Sequence, residues 1–282
     1  MRLTVIGSGT SQPQVETPAS GLLVETDDTA VLVDCGQGII RELIGVRDPR
    51  ELDAIVIGHM HADHYIDLVS LRYLLPWEGV ASAHIPVLLP PGGKARLDAL
   101  ATAISERPTF FDEAFSILEY DPGHRVHVGD LTLGFVPGQH YVPAWGCLVT
   151  GPDGATIAIT GDTGPSDGFG IAARGADLVV AEATLADSRF DDPRRGHLTA
   201  EEAIAMADAA GAPRVVLVHY RAELQEQIDR ACAARPGAIA GRPGLQLEVT
   251  AETAARSTAS AVEADRDAIP DGFRDPLIAP AP

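Results

Sequence analysis

Apolar runs of strand length recur at 2–6, 20–25, 30–34, 53–57, 85–89, 131–136, 146–150, 155–160, 177–181 and 214–218. Several are β-branched and bounded by Gly, Pro or Asp, which is the strand signature. Between some of them the apolar spacing turns helical. Residues 38–46 carry Ile39, Ile40, Leu43 and Ile44 on one face, and residues 65–75 carry Ile66, Leu68, Val69, Leu71, Leu74 and Leu75. Residues 94–105 carry Leu97, Leu100, Ala101 and Ile104, and residues 222–233 also read as helix. Residues 199–210 open on Thr199-x-x-Glu202, a capping-box pattern, ahead of Ala203, Ile204, Met206 and Ala207. The early strands follow one another like hairpins and the later ones alternate with helices. That order predicts an α/β fold of sheets covered by helices. Near residue 250 the periodicity ends. The expectation is a folded domain over 1–249 and an acidic, largely irregular tail over 250–282, with room for a short helix at 257–266.

The chain has 282 residues, 45% of them hydrophobic, enough for a full core. It has no apolar stretch long enough to span a membrane. Its opening, Met1 to Gly7, reads as a first strand rather than a signal peptide. Three cysteines, Cys35, Cys147 and Cys232, are odd in number and far apart, which fits buried thiols in a reducing cytoplasm. The net charge is −19, and no Lys/Arg cluster interrupts it. Such a surface repels polyanions, so large RNA is disfavoured as a partner. A small anionic substrate entering a positively charged metal pocket is still compatible with it.

The candidate chemistry centres on His59-Met60-His61-Ala62-Asp63-His64, which follows the apolar run 54–57 and Gly58. Four ligand-type residues within six supply the N and O donors a metal site needs. Three later apolar strands also end on such residues: 131–137 leads to His140, 155–160 to Asp162 and 215–218 to His219. Residues at strand ends are rigidly held and can converge on one rim. The donors divide naturally. His59, His61 and His140 suit one cation, Asp63, His64 and His219 a second, and the two oxygens of Asp162 can bridge them. Two cations about 3.5–4 Å apart generate a nucleophile and stabilise an in-line displacement. The expected cofactor is two zinc ions per chain, although manganese or iron would accept the same donors.

This ordered set resembles the metallo-β-lactamase fold superfamily over residues 1 to about 249. The resemblance implies a four-layer αββα sandwich of two mixed sheets, with a dinuclear site at one end. Asp34, in Val33-Asp34-Cys35-Gly36, matches the family's strand-end aspartate, which supports the metal loop without binding metal. Ala181-Glu182-Ala183-Thr184, followed by Gly196-His197-Leu198-Thr199, resembles the ribonuclease Z branch and its relatives. There a histidine at the matching place assists phosphodiester cleavage and a glutamate orients it. His197 also precedes a helix N-terminus, which favours an anion. As an imidazolium it can protonate a leaving oxygen. The opening Gly7-Ser8-Gly9-Thr10-Ser11-Gln12-Pro13 resembles the same branch; Gln12 stands where a dinucleotide fingerprint needs glycine.

Short-type ribonuclease Z enzymes carry a tRNA-gripping arm between the third histidine motif and the bridging aspartate. The interval from His140 to Asp162 has room only for two strands and a Gly151-Pro152-Asp153-Gly154 turn. The resemblance therefore points to arm-less relatives, similar to phosphodiesterases of small substrates. The expectation is a cytoplasmic, dinuclear zinc hydrolase of a small phosphodiester such as a cyclic nucleotide, with Asp63, His197 and Glu182 as catalytic residues. The alternatives are a tRNA 3′-processing endonuclease, a hydrolase of a thioester, lactone, sulfate ester or β-lactam, and a non-catalytic metal protein. A homodimer is compatible, since dimers are common among the relatives. Trp77, Trp145 and Tyr141 are candidates for the pocket mouth or for packing, and Tyr220 for packing. His84, His124 and His127 fall outside the motif set, at the surface or in strands.

Overall fold

The computed structural model describes residues 1–75 and 84–251. Its first half comprises β1 (Arg2–Ser8), β2 (Ser20–Glu25), β3 (Ala30–Val33), α1 (Ile39–Ile44), β4 (Ala54–Val56), α2 (Ala62–Tyr65), α3 (Leu68–Leu74), β5 (Ile85–Leu89), α4 (Gly93–Ser105) and β6 (Phe115–Glu119). The second half comprises β7 (Val126–Val128), β8 (Leu131–Pro137), β9 (Trp145–Thr150), β10 (Thr156–Ile159), α5 (Asp167–Ala172), β11 (Leu178–Glu182), α6 (Ala200–Ala209), β12 (Val215–Val218), α7 (Gln225–Ala234), β13 (Ala238–Ala240) and β14 (Gln246–Glu248).

The strands form two seven-stranded sheets, ordered β14-β1-β2-β3-β4-β5-β6 and β13-β12-β11-β10-β9-β8-β7. Both are mixed. β3 to β6 run parallel, as do β10 to β13, while the remaining neighbours pair antiparallel.

The four-layer sandwich follows from strands that are apolar on both faces. Side chains alternate across a strand. In β3, Ala30 and Leu32 face the helices while Val31 and Val33 face the other sheet. In β12, Val215 and Leu217 face helices while Val216 and Val218 face inward. One outer core joins the first sheet to Ile39, Leu43, Leu68, Leu71 and Leu97 of α1, α3 and α4. The other joins the second sheet to Phe169, Ala203, Met206 and Ile228 of α5, α6 and α7.

Several elements differ in detail from the sequence pattern. The stretch 65–75 holds the last residue of α2 and the whole of α3, with a turn at Ile66-Asp67 between them. The stretch 222–233 opens as a 3-10 turn at Ala222–Leu224 before α7. β6, β7, β13 and β14 carry no long apolar run; each is an edge strand whose positions are mostly half-buried or exposed. α5 is masked in sequence by Gly168 and Gly170, which lower helix propensity. The capping box at α6 is present, with Thr199 Oγ1 accepting the Glu202 N–H at 3.3 Å and Glu202 Oε2 accepting the Thr199 N–H at 3.0 Å. Such a cap stabilises by about 0.5–2 kcal/mol.

β14 closes the body against β1, and the Val249 N–H donates to the Met1 carbonyl at 2.8 Å. The expected tail lies, past Ala251, outside the described residues, as does Trp77. Among the described residues no helix is long and apolar enough to cross a membrane.

Candidate metal centre

The first wall of the site is built by two loops that grip one another. Asp34 follows β3 with φ +64°. Its Oδ1 accepts the Gly58 N–H at 3.0 Å, and its Oδ2 lies 2.7 Å from His64 Nδ1. Ser20 Oγ adds a donor at 3.3 Å. The Cys35 N–H donates to the His64 carbonyl at 2.7 Å. At Gly36 the backbone of Asp63 comes so close that a Cβ would stand 1.9 Å from its carbonyl oxygen. The loop after β4 is thus held from below by 34–36. His59 forms a bridge with Ala144 of the opposite sheet, and His61 caps α2, whose single turn buries Asp63 and His64.

The strand-end residues complete the ring. His140 follows β8, Asp162 follows β10 through Gly161, and His219 follows β12 with φ +53°. The Nδ1 of His140 donates to the Gly196 carbonyl at 2.8 Å, which turns Nε2 inward to 3.1 Å from His61 Nδ1. Asp162 Oδ2 lies 3.8 Å from His59 Nε2, 3.4 Å from His64 Nε2 and 3.9 Å from His140 Nε2. Its Oδ1 lies 3.5 Å from His219 Nε2, which in turn is 3.3 Å from Asp63 Oδ2. All seven predicted ligand residues meet here. Their donor atoms fall into groups that could each hold a cation: His59, His61, His140 and Asp162; and Asp63, His64 and His219. A third group, Asp162, His197 and His219, overlaps them.

The residues fit a divalent cation on their own account. Both ring nitrogens of His59 and Nε2 of His64 are buried without a hydrogen bond of ordinary geometry. A buried polar atom left unsatisfied costs about 1–3 kcal/mol, so these nitrogens need a partner that the described residues do not supply. Burial holds His59, His61 and His140 below the usual imidazole range, with neighbouring histidines adding to the effect for each. Neutral imidazoles are what a metal binds. Burial also opposes ionisation of Asp162, but His219 and His64 outweigh it and hold its carboxyl well below the usual range. For His64 burial is again opposed, here by Asp162 and Asp34, and its value is raised.

A second carboxylate organises the far wall. Glu182 ends β11 fully buried. Its Oε1 accepts from His197 Nδ1 and from the Thr163 N–H, both at 2.8 Å. Its Oε2 accepts from the Thr184 hydroxyl at 2.6 Å and from the Leu198 N–H at 3.3 Å. Burial lowers the His197 value, but the Glu182 contact outweighs it and raises the imidazole to about 9. The His197 ring stands 4.9 Å from that of His140.

Two further residues shape this wall. Asp191 Oδ2 accepts the N–H groups of Gly196 and His197 at 2.9 and 3.2 Å, and Tyr141 donates its hydroxyl to Oδ1. The Tyr141 ring lies directly on Gly196 and beside His197, at the rim of the site. Asp191 was not foreseen; in sequence it is one acid of a charged loop, and its role is tertiary. Trp145 packs into the core between the sheets, edge-on to Tyr120. Tyr220 is buried and donates to the Gly241 carbonyl at 2.9 Å. His84, His124 and His127 are exposed and belong to none of the candidate donor groups.

A family model described as the beta-lactamase superfamily domain matches residues 29–220, which include all seven clustered donors. The chain belongs to this superfamily. A ribonuclease Z of Myxococcus xanthus (strain DK1622) is 30% identical over 269 residues, covering 78% of this chain and 86% of that protein. The crystal structure of the metallo-beta-lactamase fold protein YhfI from Bacillus subtilis superposes with a TM-score of 0.74 at 24% identity, over 87% of this chain and 98% of that one. A diphosphatase from the PhnP family superposes with a TM-score of 0.70 at 21% identity, over 89% and 99%. The two structures share the fold. Membership in the superfamily makes the chain a hydrolase-fold protein whose His/Asp cluster is suited to divalent metal.

Proposed function

We propose that this chain is a dinuclear zinc phosphodiesterase acting on a small phosphodiester such as a cyclic nucleotide. His59, His61 and His140 would hold one cation and Asp63, His64 and His219 the other, with the Asp162 carboxylate available to both groups. Bound divalent cations supply water activation and stabilise charge on a phosphoryl oxygen. Asp63 accepts a hydrogen bond from the attacking water and aims it at phosphorus. His197 keeps Nδ1–H on Glu182, so its Nε2–H is free to donate a proton to the leaving oxygen. Its raised value, about 9, keeps that proton available at neutral pH.

The observation that carries this reading is the 2.8 Å Glu182–His197 pair set beside the His/Asp cluster. A carbonyl substrate with a good leaving group needs no such acid, whereas an alkoxide leaving from phosphorus does. The names of the relatives agree in kind, since a ribonuclease and a diphosphatase both cleave phosphorus–oxygen bonds.

The relative named ribonuclease Z favours a second reading, a tRNA 3′-processing endonuclease. Against it stand the net charge of −19 and the tight turn at 151–155 that joins β9 to β10 where an arm would be needed. The test is a parallel assay of 3′,5′-cyclic nucleotides, bis-p-nitrophenyl phosphate, a precursor tRNA, a thioester and a sulfate ester. Turnover of the small phosphodiesters with indifference to the tRNA supports the first reading. Efficient tRNA cleavage would move the assignment to the second, and turnover of only the thioester or sulfate ester would reject both.

A further inference from the structure

We propose that Thr184 is a positioning residue that ties a metal-ligand histidine and the general-acid histidine to one buried carboxylate. The proposal rests on the reading above of His219 as ligand and His197 as acid.

The Thr184 hydroxyl has one proton and three acceptors within reach. Glu182 Oε2 lies at 2.6 Å, His219 Nδ1 at 2.9 Å and the His219 carbonyl at 3.0 Å. The carboxylate is both the nearest and the charged acceptor, and 2.6 Å is the length of a charge-assisted O–H···O⁻ bond. The proton therefore goes to Glu182. The hydroxyl oxygen is left as an acceptor toward His219, and Nδ1 of that ring must be the donor. One consequence is a fixed tautomer. His219 carries its proton on Nδ1 and presents the lone pair of Nε2 to the cluster, 3.3 Å from Asp63 Oδ2 and 3.5 Å from Asp162 Oδ1. The second nitrogen of a ligating histidine sets the orientation and basicity of the first.

The same carboxylate holds His197 by its other oxygen. Both imidazoles thus turn Nδ1 outward to one anchor and Nε2 inward, and their rings lie 6.1 Å apart with only 17° between planes. The anchor is itself stiff, because the Ala183 N–H donates to the Val218 carbonyl at 2.9 Å and locks the end of β11 beside the residue that precedes His219. His219 also sits at φ +53°, a left-handed conformation that a bulky residue adopts only when its surroundings hold it. Thr184, touching both its ring and its carbonyl, is one of the groups that do so.

The test compares Thr184→Val, which keeps the shape and removes the hydroxyl, with Thr184→Ser, which keeps the hydroxyl. Zinc affinity is read by competition with a chromophoric chelator, alongside melting of the metal-free protein and turnover of bis-p-nitrophenyl phosphate. The expected result is that Thr184→Val weakens one of the two zinc ions by about 10–100-fold, the usual loss when a ligand's outer partner is removed. At saturating zinc its kcat also falls, while Thr184→Ser binds both ions like the parent. His197→Ala serves as contrast and should leave zinc affinity unchanged while lowering kcat on an alkyl phosphodiester. Native zinc affinity in Thr184→Val, or the same loss in a folded Thr184→Ser, would overturn the proposal. Should the valine variant fail to fold, imidazole nitrogen NMR of the zinc-loaded parent decides, with a protonated Nδ1 on His219 expected and an unprotonated one contrary. Affinity and tautomer are read without substrate, so their failure is distinct from a failure to hydrolyse phosphodiesters.

Discussion

Asp34 Oδ2 lies 2.7 Å from His64 Nδ1, while the other oxygen of the same carboxylate takes the Gly58 N–H at the head of the metal loop. One buried side chain therefore orients His64, a proposed metal ligand, and anchors the loop that carries His59, His61 and Asp63. Asp34→Asn should retain the left-handed backbone, which Asn tolerates, yet weaken the hold on His64. A loss of about 10–100-fold in zinc affinity is expected. Asp34→Ala should lose as much and melt at lower temperature, because Gly58 loses its acceptor. Chelator competition and thermal unfolding check both, and unchanged zinc binding in the two variants would contradict the supporting role.

Zinc uptake should release protons. In the metal-free protein Asp162 and Asp34 overcome burial and raise His64, and Asp162 and Asp63 do the same for His219. Both values lie above 6.5, so near that pH these rings carry protons that ligation must displace. The corresponding stabilisation of the metal-free fold is fully present below pH 6.5 and fades as pH rises through the raised values. Calorimetry of zinc binding in buffers of different ionisation enthalpy measures the release. A binding enthalpy that does not depend on the buffer would contradict it.

His197→Ala should cost about 10²–10⁴-fold on an alkyl phosphodiester, whose leaving oxygen needs a proton. The loss should be much smaller with a p-nitrophenyl leaving group. In the parent the alkaline limb of the pH profile should fall as His197, raised above the usual imidazole range by Glu182, loses its proton. Glu182→Gln removes the carboxylate that raises His197, so that limb should move to lower pH. A limb that stays in place would detach Glu182 from His197. The ion pair also stabilises the fold below pH 6.5, and that contribution is lost as pH climbs through about 9.

Gly36→Ala should disturb the centre without touching a ligand. The new Cβ would fall 1.9 Å from the Asp63 carbonyl oxygen, a backbone atom that can yield only if α2 moves. Overpacking of this kind costs about 1–3 kcal/mol. A lower melting temperature and fewer than two zinc ions bound per chain are expected, and a fully loaded variant of parental stability would contradict the close packing.

The fold's inner strands and the residues of the His/Asp cluster are legible in the sequence for one reason. β4, β10 and β12 are buried on both faces and β8 along one face, so they read as apolar runs, and each run leads to a ligand-type residue. The edge strand β14, Gln246-Leu247-Glu248, has no such run and exists through pairing with β1. Asp191 was invisible because nothing in Asp191-Asp192-Pro193-Arg194-Arg195 marks which acid folds back onto the Gly196 and His197 amides. Thr184 stands in the quoted motif, but its triple contact depends on His219, which follows another strand, β12. Trp145 could have lined the mouth or the core. The register of β9 against β8, with Trp145 opposite Pro137, goes with its place in the core between the sheets.

The most direct measurement is turnover of bis-p-nitrophenyl phosphate as zinc is returned stepwise to chelated protein, with bound metal counted at each step. The dinuclear account predicts no activity in the chelated chain and a rise that levels off at two zinc ions per chain. Full activity without metal, or no turnover of any phosphodiester in a chain holding both ions, would contradict it.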